Sequence, residues 1–136
     1  MYLFDTDVLS NIVKRNPSPV LLEKLGNLPK KLQFTSAINV GEIYYGANRS
    51  NRKDQIINAF KERVFPKVNI IAFDETGGKL FGKLKAELEK QSLVCSEPDL
   101  RIASIALQHD LKLITGNTKH FIKIPGLSVE NWIGED

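Results

Sequence analysis

The chain predicts an α/β fold with a parallel sheet, and three observations carry that prediction. Short β-rich runs alternate with longer helical patterns, the order that parallel strands and crossover helices require. Breakers such as Asn16-Pro17 and Pro66 fall between those patterns rather than inside them. No internal repeat, low-complexity tract or linker interrupts 136 residues of 42% hydrophobic composition, so residues 1–136 form one expected domain. A chain of this length buries roughly two-thirds of its unfolded surface and needs no staple.

Taken in order, Met1–Phe4 is a short apolar strand that ends at Asp5. Asp7–Lys14 and Pro19–Leu25 have helical patterns, and Leu32–Thr35 is the next strand. Ala37–Asn48 and Lys53–Val64 are helices, and Asn69–Phe73 is a strand. Glu75–Gln91 is a long amphipathic helix with Leu80, Leu84 and Leu88 on one face. Pro98–His109 is a helix, Lys112–Thr115 a strand and Leu127–Val129 a last short strand.

Composition narrows the classes of function. Cys95 is the single cysteine, which excludes an internal disulfide and fits a reducing compartment. His109, His120 and Cys95 stand at unrelated spacings and do not make a familiar zinc site. The opening MYLFDTD is no signal peptide, and no apolar run approaches the ~20 residues a spanning helix needs. The expected location is the cytoplasm, with no membrane partner. A net charge of +3 favours anionic partners. Arg49, Arg52, Lys53, Lys61, Arg63 and Lys67 are clustered, and both a solvated helix face and a nucleic-acid footprint explain them.

Four residues beside apolar runs draw the chemistry together: Asp5, Glu42, Asp99 and Asn117. Carboxylates are expensive near a core unless something positive compensates them. Asp5 ends the first strand, and parallel folds bind ligands beyond the carboxyl ends of their strands. A helix N-cap at Asp5 or Thr6 explains the same residues. Glu42 lies on a helix whose Ile38, Val40, Ile43, Tyr44, Tyr45 and Ala47 cover most of its circumference, an expectation of packing on several sides. Asn39 and Gly46 share the remaining stripe with Glu42, and Gly46 leaves space beside it. Asp99 projects opposite a polar stripe of Arg101, Ser104 and Gln108, on the side of Ile102, Ala103 and Ala106. A capping box, Ser96-x-x-Asp99 with Pro98 in the first turn, suits the same position. Asn117 sits in a Thr-Gly-Asn turn that is ordinary turn chemistry, yet its amide, like the hydroxyls of Thr6, Ser36 or Thr115, suits orienting a water. Asp7 has two readings, a further site acid or a cap on the first helix.

Two carboxylates ~4 Å apart repel by about 4 kcal/mol at an effective dielectric of 20, so one protonates or a cation binds. An all-oxygen site suits Mg²⁺ or Mn²⁺, ions that acidify a bound water and polarise a phosphoryl oxygen. On a basic chain that points to phosphodiester hydrolysis.

FDTDVLS, TSAINVGEIYYGA, FDETGGKLFGKLKAELEKQS, DLRIASIAL and LITGNTKHFIKIPGLSVENW together resemble PIN-domain ribonucleases of the VapC type, the toxin half of a toxin–antitoxin pair. The resemblance runs from Asp5 to Trp132. It implies a three-layer α/β/α sandwich and a Mg²⁺- or Mn²⁺-dependent endoribonuclease. The family's three acids match Asp5, Glu42 and Asp99. Its fourth position matches Asn117, an amide here, with Thr115 as the hydroxyl two residues earlier. The VCSEP segment departs from the family's glycine-containing turn, and Glu97 there is either a fifth acid or a surface residue. The resemblance also implies an RNA substrate, a homodimer and a VapB-like antitoxin whose tail lies in a hydrophobic groove. Apolar stripes in PVLLEKL and DQIINAFKERVF suit that groove, or pack on the core.

Two other readings stay open. DTDVL resembles the opening motif of haloacid-dehalogenase-type phosphatases, with Asp5 as nucleophile. That family also needs acids after a later strand, where LKLIT is followed by Gly116 and Asn117. The other reading keeps the PIN fold as a non-catalytic binding module.

Overall fold

A computed structural model describes residues 1–134. Five strands form one sheet: β1 (Tyr2–Phe4), β2 (Gln33–Ser36), β3 (Asn69–Ile71), β4 (Lys112–Ile114) and β5 (Val129–Glu130). All neighbours are parallel, in the order β3-β2-β1-β4-β5, so β1 is central. Seven α-helices cover the sheet: α1 (Thr6–Val13), α2 (Pro19–Gly26), α3 (Ala37–Arg49), α4 (Lys53–Arg63), α5 (Glu75–Lys90), α6 (Glu97–Gln108) and α7 (Thr118–Phe121).

The side-chain alternation of the two central strands builds both halves of the core. Leu3 and Leu113, paired in register, join Leu84, Leu88, Ile102 and Ile105 of α5 and α6 on one face. Phe4 and Ile114, the next pair, join Val8, Leu9, Leu21 and Phe60 of α1, α2 and α4 on the other. This is the expected α/β/α sandwich.

Several expectations need correction. α3 packs against α1, α4, α6 and β2, but its apolar residues are not all covered: Asn39, Ile43 and Ala47 are its buried residues, and Tyr45 is 63% exposed. The polar stripe of α6 does not face solvent throughout. α5 packs against α6, Ser104 is fully buried and donates to the Leu100 carbonyl at 2.7 Å, and Gln108 donates to Asp74, the N-cap of α5. β3 stops at Ile71, and Phe73 meets Phe81 edge-on instead, with ring centroids 6.2 Å apart. β5 is shifted to Val129–Glu130, and the single turn of α7 was not expected because four residues give no helical period. Among the described residues no helix is long and apolar enough to cross a membrane.

Candidate active site

The parallel strands bring three chain segments to one edge. β1 runs into Asp5, β2 ends at Ser36 where α3 begins, and β4 runs into Thr115. Ligands of open parallel sheets sit at this edge.

Asp5 is the centre of the arrangement. It is only 6% exposed, yet its carboxylate accepts three hydrogen bonds. Oδ1 takes the Thr6 backbone N–H at 2.8 Å and the Asn39 amide at 3.1 Å, while Oδ2 takes the Thr115 hydroxyl at 2.7 Å. The capping reading of Asp5 holds, since it is the N-cap of α1, and the cap leaves Oδ2 to Thr115. Burial nonetheless holds its pKa above the usual carboxylate value, and the Asp99 charge pushes the same way.

Asn39 is fully buried and ties Asp5 to Glu42. Its Oδ1 accepts the Ser36 hydroxyl at 2.6 Å, which fixes the amide so that Nδ2 reaches Asp5 and the Thr6 hydroxyl, the latter at 3.0 Å. The Thr6 hydroxyl in turn donates to Glu42 Oε1 at 2.6 Å. Glu42 is half-buried, and burial followed by the charges of Asp5 and Asp99 raises its pKa. As expected, open space surrounds Gly46.

Asp99 stands in the first turn of α6, where its N–H donates to the N-cap hydroxyl of Ser96 at 3.3 Å. Its side chain is 21% exposed, and Oδ2 lies 3.4 Å from His120 Nδ1. Asp99 is half-buried and its charge acts on Asp5 and Glu42, although the buried Ser104 removes part of the pattern that indicated its position.

The other sequence candidates fall differently. Thr115 is fully buried and holds Asp5. Thr6 spends its hydroxyl proton on Glu42, and Ser36 spends its own on Asn39, so both position neighbours rather than face an open site. Asn117 is exposed and its amide donates to Asp7 Oδ2 at 3.2 Å. Glu97 is an exposed surface residue paired with Lys85 and Arg101, each at 2.9 Å, and is no fifth site acid. Asn39 as a bridge, His120 beside Asp99 and Gly116 beneath Asp7 were not found from sequence. Each is a contact between distant segments that no local pattern encodes.

Among the described residues, no three His, Cys, Asp or Glu side chains form a group ready to hold an ion. The chemistry of the donors still fits a hard divalent ion. They are all oxygens, no ion pair among the described residues reaches Asp5, Asp7 or Glu42, and all three titrate above their ordinary values.

Known proteins resemble the chain over nearly its whole length. The family model described as PIN domain matches residues 2–127. Ribonuclease VapC2 of Haemophilus influenzae is 33% identical over 132 residues, covering 97% of this chain and 98% of its own. The tRNA(fMet)-specific endonuclease VapC of Shigella flexneri is 26% identical, covering 96% and 97%. Among solved structures, the crystal structure of VapBC2 from Rickettsia felis bound to a DNA fragment from their promoter superposes with a TM-score of 0.88. It is 30% identical and covers 96% of this chain and 98% of that one.

Proposed function

Because the chain belongs to the PIN-domain family, we propose that it is an endoribonuclease, the toxin of a toxin–antitoxin pair, acting as a single domain in the cytoplasm. The observation that carries the reading is Asp5: a carboxylate buried where β1 ends, held by three donors, with no ion pair among the described residues and with the Asp99 charge adding to its burial. The matching ribonucleases give that site its substrate class.

Asp5, Glu42 and Asp99 would hold Mg²⁺ or Mn²⁺. The chemistry supplied there is neutralisation of the carboxylates, acidification of water and polarisation of a phosphoryl oxygen. The chain's own residues do the positioning. Thr115 and Asn39 fix both oxygens of Asp5, and Thr6 fixes Glu42. Hydrolysis joins a water oxygen to phosphorus and breaks the P–O3′ bond, leaving a 5′-phosphate and a 3′-hydroxyl. Asn117 carries no charge and bonds to Asp7, which favours one tightly held ion over two.

An antitoxin tail has a suitable seat. Ile12, Leu22, Leu25 and Val64 line an apolar cavity with Arg63 and Lys67 at its edge, drawing on both predicted stripes. A second copy of the chain is the other expected partner. Solved complexes of related toxins with their antitoxins support the pairing.

The test is purified protein on labelled RNA. Cleavage with Mg²⁺ or Mn²⁺, none in EDTA, and loss in Asp5→Asn and Asp99→Asn are expected. Cleavage that survives EDTA sinks the proposal. Turnover of a small aryl phosphate would favour the phosphatase reading instead.

A further inference from the structure

Asp7 is the second residue of α1, and beyond the N–H groups of that first turn its carboxylate finds its partners far along the chain. Oδ2 reaches across 109 residues of sequence to accept the Gly116 backbone N–H at 2.9 Å, and it also takes the Asn117 amide. The approach is close. A Cβ at Gly116 would lie 2.7 Å from Asp7 Oδ2 and 2.8 Å from Ile133 Cδ1, so any side chain there has to push both of those ends aside.

The turn that Asp7 grips is the one that holds Asp5. Thr115, just before Gly116, donates its hydroxyl to Asp5 Oδ2 and accepts the Asn117 backbone N–H at 3.0 Å. Asp5 and Asp7, two residues apart, therefore bind the same three-residue turn at different points. The arrangement has a cost: Asp7 Oδ1 is shut from solvent with no well-formed hydrogen bond, and the Asp7 and Val8 N–H groups of the first turn offset its burial only in part. A buried polar atom so poorly paired is destabilising, and such a cost calls for an explanation.

We infer that Asp7 is a positioning residue, whose clamp on Gly116 and Asn117 seats the Thr115 hydroxyl on Asp5 and so sets Asp5 for the divalent cation. The inference rests on the metal-dependent nuclease reading for its consequence, and its test separates the two.

The test is a double-mutant cycle of Asp7→Ala and Gly116→Ala in the full chain, with Asp7→Asn beside it. Readouts are Mn²⁺ affinity by calorimetry, kcat and KM on labelled RNA, thermal stability, and hydrogen exchange of the Gly116 and Asn117 amides. Asp7→Ala should weaken Mn²⁺ binding and lower kcat by about tenfold or more, as loss of a partner behind a metal ligand does, with little change in KM. Gly116→Ala should do the same by driving the carboxylate off the amide. The double variant should be no worse than either single one, because both break one clamp. Asp7→Asn keeps an acceptor for the Gly116 amide and should recover most of the affinity and amide protection lost in Asp7→Ala.

Asp7→Asn as impaired in Mn²⁺ binding as Asp7→Ala would make Asp7 a direct ligand and overturn the inference. Reduced thermal stability with unchanged Mn²⁺ affinity and kcat would overturn it too, leaving a structural role. A parent that binds Mn²⁺ but cuts no RNA contradicts the nuclease reading alone, and the clamp is still judged on affinity. A parent that binds no Mn²⁺ overturns both.

Discussion

Asp5 serves two purposes with one carboxylate, capping α1 and anchoring the site, and the residues around it divide the remaining work. Thr6 is the most exacting of them, because its hydroxyl accepts from Asn39 and donates to Glu42 at once. Thr6→Val keeps the shape and removes both bonds. We expect kcat on labelled RNA to fall by about tenfold with a small change in melting temperature, and Thr6→Ser to restore most of the rate. An equal loss in Thr6→Ser would show that the methyl group, not the hydroxyl, matters. The acids themselves were legible in the sequence because charge beside an apolar run is conspicuous. Their supporting partners were not: Asn39 looks like any helical asparagine, and Asp7 and Gly116 are neighbours only in the fold.

At the scale of elements, the caps separate stability from activity. Asp74 caps α5 by accepting the Gly77 N–H at 2.9 Å and lies apart from the carboxylates of the site in every contact it makes. Asp74→Ala should lower the denaturant midpoint and leave RNA cleavage unchanged. Ser36 caps α3 and also orients Asn39, so Ser36→Ala should lower the midpoint and the rate as well. A Ser36→Ala enzyme at full rate would contradict the Asn39 bridge. Strand and helix order was readable from periodicity, since Leu84 and Leu88 lie on the buried face that their spacing implies. Periodicity did not reveal what covers a face. Ser104 has the polarity of a surface residue but is fully buried with its proton on a helix carbonyl, and α3 exposes tyrosine where its composition suggested packing.

Across the whole molecule, stored negative charge links the site to pH. Burial raises Asp5, Glu42 and Asp7, the last from 3.8 to about 6. A carboxyl whose folded pKa exceeds its unfolded value takes up its proton more readily when folded. Stability then falls as pH rises between the two values and levels off above the upper one. Asp74, Glu97 and Glu130 are shifted downward and lose their contribution as pH falls through the ordinary carboxylate values, 3.8 for Asp and 4.5 for Glu, so a comparison at pH 5 and above leaves most of it in place. Metal-free protein should therefore melt higher at about pH 5 than at about pH 7, with a smaller difference in Asp7→Asn. A melting temperature that rises steadily from the lower to the higher pH would refute the stored charge. The central claim is that Asp5, Glu42 and Asp99 share one divalent cation used to cut RNA. Its most direct test is the rate of RNA cleavage against Mn²⁺ concentration in the parent and in Asp99→Asn. The parent should saturate from a zero rate in EDTA, and Asp99→Asn should need far more Mn²⁺ to reach half its own, lower maximum. Identical midpoints and maxima in the two proteins would contradict the claim.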